Sequence, residues 1–123
     1  NAYGHGLTTI APVFDKLKPP FLVADSLYEA YELYKKNIKT PILIIGYTDP
    51  KNYAVKPLPF HYSIFDVKTA QALNKYQPGR DVHIFVDTGM NREGVKIKNL
   101  PNFLKEIQKL KKINIEKKEV KKI

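Results

Sequence analysis

Cysteine is absent from this 123-residue chain, and so is tryptophan. Without thiols there is no disulfide framework, no thiolate nucleophile and no zinc site of the cysteine type. Long apolar runs are missing too. The longest, Pro41 to Ile45, is strand-sized, well short of the roughly 18–20 residues that cross a bilayer. No charged segment leads into an apolar one near the start, so no signal peptide is expected. His, Asp and Glu do not cluster at metal-ligand spacing, and no residue is assigned to a metal. These absences lead to the expectation of a cytoplasmic protein with no membrane partner.

Hydrophobic residues make up 43% of the chain and charged residues 27%, the composition of a soluble globular sequence rather than a disordered one. The length suits one small domain or part of a larger one. The net charge of +9 raises the question of nucleic acid. Much of the excess comes from Lys105, Lys109, Lys111, Lys112, Lys117, Lys118, Lys121 and Lys122. Lysine without arginine or interleaved aromatics gives little base readout or stacking. A solvated helix face and tail is the expectation, with no nucleic-acid partner.

Apolar spacing alternates between helix and strand. Leu7, Ile10, Phe14 and Leu17 recur at helical spacing, with Thr8 and Thr9 as candidate caps and Pro12 tolerable only near the first turn. Pro19-Pro20 stops that helix, and Phe21 to Ala24 reads as a strand. Ser26-Leu27-Tyr28-Glu29 has capping-box spacing and opens a helix with a buried stripe of Leu27, Ala30, Tyr31 and Tyr34. Ile42 to Ile45 is apolar on both faces, as in a strand covered from both sides. Gly46 to Pro50 is a loop, and residues 51–59 are irregular with at most one helical turn. Tyr62 to Phe65 is the next strand, Asp66 caps a helix carrying Val67, Ala70 and Leu73, and Gln77-Pro78-Gly79 breaks it. Val82 to Val86 is a strand running into Asp87-Thr88-Gly89. A last helix carries Leu100, Phe103, Leu104, Ile107 and Leu110, and Ile113 to Ile115 begins another strand. Such alternation predicts βα units and a parallel sheet. Two closures compete: an open doubly wound sheet, or part of a (β/α)8 barrel, which needs about 250 residues when complete.

Two patches carry the chemistry, and both fall where a strand should be ending, the edge at which parallel α/β folds bind ligands. In Asn1-Ala2-Tyr3-Gly4-His5-Gly6, the glycines bring bare N–H groups to a helix start, a seat for phosphate, and Tyr3 adds a phenolic donor. A plain turn with Gly at positive φ and Tyr3 packed is the simpler reading from spacing alone. A lone Gly-x-Gly is no dinucleotide fingerprint. In Asp87-Thr88-Gly89-Met90-Asn91-Arg92, Arg92 brings a planar fork of donors that could clamp a carboxylate or a ring oxygen; a surface ion pair with Glu93 is its bland alternative. Asp87 either orients Arg92 or caps the turn. His5 has no catalytic role, and His61 and His83 read as half-buried packing residues.

Both patches resemble alanine racemase. That family's cofactor segment reads Lys-Ala-Asn-Ala-Tyr-Gly-His-Gly, against Asn1 to Gly6 here, and its Asp-Thr-Gly-Met-x-Arg-x-Gly motif is matched by Asp87 to Gly94. Phe21 to Ala30 and Pro41 to Tyr47 are similar to two further family passages. Similarity covers about residues 1–116, leaving residues 117–123 as a lysine-rich tail. The resemblance implies an α/β fold: a partial (β/α)8 TIM-type barrel, parallel strands alternating with helices, about half of a full barrel. It implies pyridoxal 5'-phosphate as cofactor, with Tyr3 bonded to its phosphate and Arg92 contacting the ring oxygen and the carboxylate of alanine. Asp87, Gly89 and Met90 support that site. Tyr3 and Arg92 are then expected to open into one cavity at one rim. It further implies a homodimer that interconverts L- and D-alanine, the latter for peptidoglycan.

Three departures accompany the resemblance. The family's Schiff-base lysine would stand two residues before Asn1, so none of the 123 residues is expected to be catalytic and the segment is expected to be inactive alone. Phe85 occupies a position where many members carry a carboxylated lysine that pairs with the motif arginine. After Glu116 the chain reads Lys117-Lys118-Glu119 where the family continues Gly-Leu-Met-Ser-His. Alternatives are another relative of the fold type, such as a broad-specificity racemase or a decarboxylase, or a non-catalytic fragment that associates through exposed edges.

Overall fold

In a computed structural model the described residues are 2–91 and 93–115, and the side chain of Tyr3 also lies outside the description. The lysine-rich tail therefore falls outside the described residues. The chain packs as two compact units, residues 1–47 and residues 48–123.

The first unit starts with a 3-10 turn, Ala2–Gly4, followed by α1 (Leu7–Lys16), β1 (Leu22–Ala24), α2 (Leu27–Lys35) and β2 (Ile42–Ile44). Thr8 and Thr9 do not cap α1. Gly6 does, at φ 83°, with no side-chain hydrogen bond, because its carbonyl accepts the N–H groups of Thr9 and Ile10 directly, each at 3.1 Å. Pro12 lies in the middle of the ten-residue helix rather than in its first turn, where its missing N–H costs one intrahelical bond. The expected stripe is also rotated: Ala11 is buried, whereas Phe14 and Leu17 are exposed. What ties down the end of α1 is polar. The Asp15 carboxylate accepts from Thr40 Oγ1 (2.6 Å), Thr40 N (2.8 Å) and Lys39 N (3.2 Å), clasping the helix to the residues that lead into β2.

At α2 the box forms with a shift. Ser26 Oγ accepts from Glu29 N at 3.2 Å, but Glu29 Oε2 takes the N–H of Asp25 (3.1 Å) rather than that of Ser26. Ala30 is buried as expected and Leu27 and Tyr31 are half-buried, but Leu33 takes the buried place expected of Tyr34, which is exposed. β1 and β2 pair in parallel with Val23 opposite Leu43. Ala24, Ile42 and Ile44 are buried while Val23 is 58% exposed. Leu43 and Ile45 are partly covered, so one face of the pair is buried and the other is covered in part, more on β2, where the apolar run lies, than at Val23.

The second unit comprises a 3-10 turn (Pro50–Ala54), β3 (His61–Ile64), α3 (Val67–Tyr76), β4 (Asp81–Ile84), β5 (Val86–Asp87), β6 (Val95–Lys96), a 3-10 turn (Ile97–Asn99), α4 (Leu100–Gln108) and β7 (Asn114–Ile115). β4 lies between β3 and β7, parallel to both, as βα units require. Asp66 caps α3 as expected, its Oδ1 accepting from Thr69 N at 2.6 Å. Ala70 and Leu73 of α3 and Phe103 and Ile107 of α4 are buried, as are Tyr62, Ile64 and Val82 of the sheet. Tyr53 meets the Tyr62 ring edge-on at 5.3 Å between centroids, a favoured aromatic geometry.

Gln77 does more than break a helix. It is 1% exposed; its Oε1 accepts from Leu58 N (3.0 Å) while its Nε2 donates to the carbonyls of Tyr53 (2.9 Å) and Lys56 (2.7 Å). One buried amide thus satisfies three backbone groups of the irregular 53–58 segment. Exchanging it for an apolar residue of similar size strands all three, and each buried orphan costs about 1–3 kcal/mol. Gln77→Leu is expected to lower stability by about 3 kcal/mol or more, read as a fall in urea midpoint at unchanged slope.

The Thr40 hydroxyl and the Thr40 and Lys39 N–H groups hold the Asp15 carboxyl below its ordinary 3.8. A depressed carboxyl stabilises the fold above the ordinary value, and that contribution disappears as pH falls through the lowered one. Acid titration followed by circular dichroism should show Asp15→Asn losing less stability than the parent chain as pH falls through and below the ordinary carboxyl value; equal losses would contradict the clasp.

Candidate active site

The second unit places its chemistry where β4 ends. The expected strand Val82 to Val86 divides at Phe85, whose N–H donates to the Ile64 carbonyl (2.9 Å) while its carbonyl accepts from Val95 N (2.7 Å). The chain thereby leaves the β3–β4 ladder and enters a second parallel pair, Val86 opposite Val95 and Asp87 opposite Lys96. That pair had no signature in the sequence, since β5 and β6 are two residues each. Phe85 itself is half-buried and brings hydrocarbon, not charge, to this junction.

Asp87 caps the turn that follows. Its Oδ1 accepts from Gly89 N (3.0 Å), Met90 N (3.0 Å) and Asn91 N (3.2 Å). Of the two roles considered for Asp87, capping is thus observed. Gly89 has φ 137° and Asn91 φ 54°, and Met90 is 73% exposed. The N–H groups of Gly89, Met90 and Asn91 are committed to the Asp87 carboxylate, so the turn is no cradle for phosphate. Arg92 lies outside the described residues. Gly94 closes the loop: a Cβ there would stand 2.7 Å from Asp87 N and 3.0 Å from the Val86 carbonyl carbon, distances that real side chains do not tolerate. Beyond Gly94 an open groove of about 530 Å³ runs past Phe65, Val95 and Phe103.

In the first unit, residues 2–4 form a 3-10 turn in which His5 N donates to the Ala2 carbonyl (3.1 Å). Gly4 and Gly6 take φ of 88° and 83°, as their composition suggested. The Tyr3 phenol lies outside the described residues, and a cavity shared with Arg92 therefore does too. The structure also marks Gly46, which spacing did not single out. Ile45 N donates to the Ala24 carbonyl (3.0 Å), extending the ladder past β2, and a Cβ at position 46 would collide with the carbonyl oxygen of Asp25. Only a glycine lets these two strand ends approach so closely.

The histidines do pack, against each other: His61 Nδ1 and His83 Nε2 are 3.2 Å apart, and Asp81 Oδ2 lies 3.8 Å from His61 Nε2. Among the described residues no group of three or more His, Asp or Glu side chains could hold a metal, and no helix is long and apolar enough to cross a membrane.

A family profile described as "Alanine racemase, N-terminal domain" matches residues 1–118. The chain belongs to the alanine racemase family. It is 38% identical over 127 aligned positions to an alanine racemase of Clostridium kluyveri, covering 94% of this chain and 31% of that protein. It is also 35% identical to a serine/alanine racemase of Enterococcus gallinarum, covering 77% of this chain and 14% of that one. Among solved structures, alanine racemase of Clostridium difficile in complex with cycloserine superposes with a TM-score of 0.84 at 29% identity, covering 94% of this chain and 33% of that one. Alanine racemase of Bacillus anthracis with bound L-Ala-P gives 0.80 at 27%, covering 94% and 31%. The chain thus spans about a third or less of the length of these relatives. The alternating parallel strands and helices are a portion of the racemase N-terminal barrel, which selects the barrel over the doubly wound sheet.

The contact at Gly46 has a measurable consequence. Gly46→Ala forces the backbones of β1 and β2 apart at their carboxyl ends, and overpacking of this kind costs about 1–3 kcal/mol. Thermal unfolding should show the loss. An unchanged midpoint would mean that the strand ends can separate freely.

Proposed function

We propose that this chain forms part of the barrel of a pyridoxal 5'-phosphate-dependent alanine racemase, a cytoplasmic homodimer that interconverts L- and D-alanine and so supplies D-alanine for peptidoglycan. The observation that carries this reading is the Asp87-capped turn at the carboxyl end of a parallel strand, in a chain that matches the racemase N-terminal domain over residues 1–118. The residues suit the cofactor. The turn commits its own N–H groups to Asp87 and offers no anion hole; the sequence puts a cation, Arg92, directly after it, and a phenol at Tyr3 suits a phosphate. The half-exposed apolar face of Val23 and Leu43 suits an aromatic ring.

When bound, the cofactor supplies the electron sink that makes the α-proton of alanine acidic. Tyr3 would hold the phosphate by donating its phenolic hydrogen. Arg92 would hold the ring oxygen and the substrate carboxylate and so would orient alanine over the cofactor. Asp87, Gly89 and Met90 shape the loop that carries Arg92. These 123 residues would contribute binding and orientation but not the Schiff-base lysine, and the isolated segment is expected to show no racemase activity.

A full-length protein carrying this segment should convert L- to D-alanine in a coupled assay. Arg92→Ala is expected to lower kcat/KM at least about 100-fold, since a lost charged, bidentate contact is worth several kcal/mol. Tyr3→Phe should weaken cofactor affinity about tenfold, the value of one hydrogen bond to a charged group. A parent protein that leaves alanine unchanged at saturating cofactor would contradict the assignment. The likeness to a serine/alanine racemase favours a second reading of substrate range, and serine should be assayed beside alanine.

A further inference from the structure

His61 on β3 and His83 on β4 lie diagonally across a parallel ladder in which Ser63 stands opposite His83. The two imidazoles meet by their ring nitrogens. Nδ1 of His61 is 3.2 Å from Nε2 of His83, and with centroids 5.4 Å apart at 49° the rings are tilted rather than stacked. His83 is buried, and the side chain of His61 keeps 18% of its surface. At the other nitrogen of His61 stands the Asp81 carboxylate, its Oδ2 3.8 Å from Nε2. From β7, Asn114 pairs with Asp81 and Ile115 with Val82; neither side chain titrates, nor does that of Ser63. Arg80, next to Asp81 in sequence, exerts its charge on Tyr62, which alternation puts on the opposite face of the sheet from His61. A carboxylate and two imidazoles therefore follow one another across β3 and β4.

We infer that His61 and His83 form an acid-sensitive latch between β3 and β4, whose hydrogen bond survives one added proton and is lost with a second. A neutral imidazole carries one N–H and one bare nitrogen, so in the neutral pair one ring donates and the other accepts. One proton from solvent leaves the bond intact: an imidazolium at His61 donates through Nδ1 to the bare Nε2 of His83, with its own Nε2–H toward Asp81. With a second proton both facing nitrogens carry hydrogen and no acceptor remains. Two like charges then stand at hydrogen-bond distance in a place largely withdrawn from water, and both effects disfavour that state. The unfolded chain takes both protons without this penalty. Below the ordinary imidazole value of about 6.5 it therefore binds more protons than the folded chain, and stability falls as pH falls. The inference concerns the strands themselves and does not depend on the racemase reading.

The test is urea unfolding of the 123-residue chain between about pH 7.5 and about pH 5, above the carboxylate range. Over the lower part of that window the folding constant of the parent should fall by up to about tenfold per pH unit more than that of His83→Gln, the slope of one proton. His61→Gln, at the more exposed position, should flatten the profile in the same way and decides the matter if the His83 variant does not fold. Asp81→Asn should deepen the fall, since the first added charge loses its carboxylate. Nitrogen NMR of the imidazoles gives a readout that packing alone would not move. In the parent the pair should take up its two protons in two separated steps, and in either glutamine variant the remaining imidazole should titrate in one. Should neither variant fold, the parent spectra decide. The same pH dependence in the parent and both glutamine variants, or a parent in which the two imidazoles protonate together at one midpoint, would overturn the inference.

Discussion

One carboxylate oxygen receiving three backbone N–H groups is the interaction on which the candidate site depends. At Asp87 the chain has just left the β3–β4 ladder through Phe85 and must double back and turn again within a few residues to begin β6 parallel to β5. A reversal that tight leaves consecutive N–H groups without partners in any ladder, and unpaired backbone donors are costly when withdrawn from water. Asp87 supplies the missing acceptor. The turn it builds is thereby shaped by a side chain seven positions before Gly94, and the glycine completes it by letting the returning strand lie directly against the Asp87 backbone. An ion pair could not do this work, because charge attraction has little directionality, whereas three hydrogen bonds converging on one oxygen fix three peptide planes.

The same logic recurs in the first unit with different chemistry. There the carboxyl ends of β1 and β2 touch at Asp25 and Gly46, and the far end of the strand entry is held by Asp15 on Thr40 and Lys39. In each unit a carboxylate satisfies backbone donors outside regular structure, and a glycine removes the side chain that would keep two backbones apart. Parallel ladders stop where the strands diverge, so contacts of this kind decide how far the edge that faces ligands is held rigid. In the second unit Gln77 supplies a third version, an amide that meets both donors and acceptors of the segment beneath the sheet.

Much of this was legible in the sequence because it is local. The βα alternation follows from period and punctuation, the Asp66 cap from its position before an apolar helical stripe, and the racemase family from two motifs. What escaped reading depends on contacts between distant residues. Nothing near Gln77 announces that its amide will meet residues 53–58, and Gly46 reads as an ordinary loop glycine until Asp25 is placed against it. Pro12 was expected near a helix start because proline costs a hydrogen bond elsewhere, yet α1 accommodates it mid-helix. The exposed Phe14, Leu17 and Val23 show that an apolar pattern reports the tendency to be covered, while actual cover depends on neighbours. Phe85 divides an apparently continuous apolar strand because its two backbone groups serve different partners, which periodicity cannot reveal.

The central claim is that the segment after Asp87 and the segment around Tyr3 serve one cofactor. The most direct test is a crystal structure of a full-length protein carrying this chain with pyridoxal 5'-phosphate bound. The account predicts the Tyr3 phenol within hydrogen-bond distance of the phosphate and the Arg92 guanidinium within that distance of the ring oxygen, with Asp87 still accepting from residues 89–91. A cofactor touched by only one of the two side chains, or an Arg92 paired with the Asp87 carboxylate in place of the turn, would contradict it.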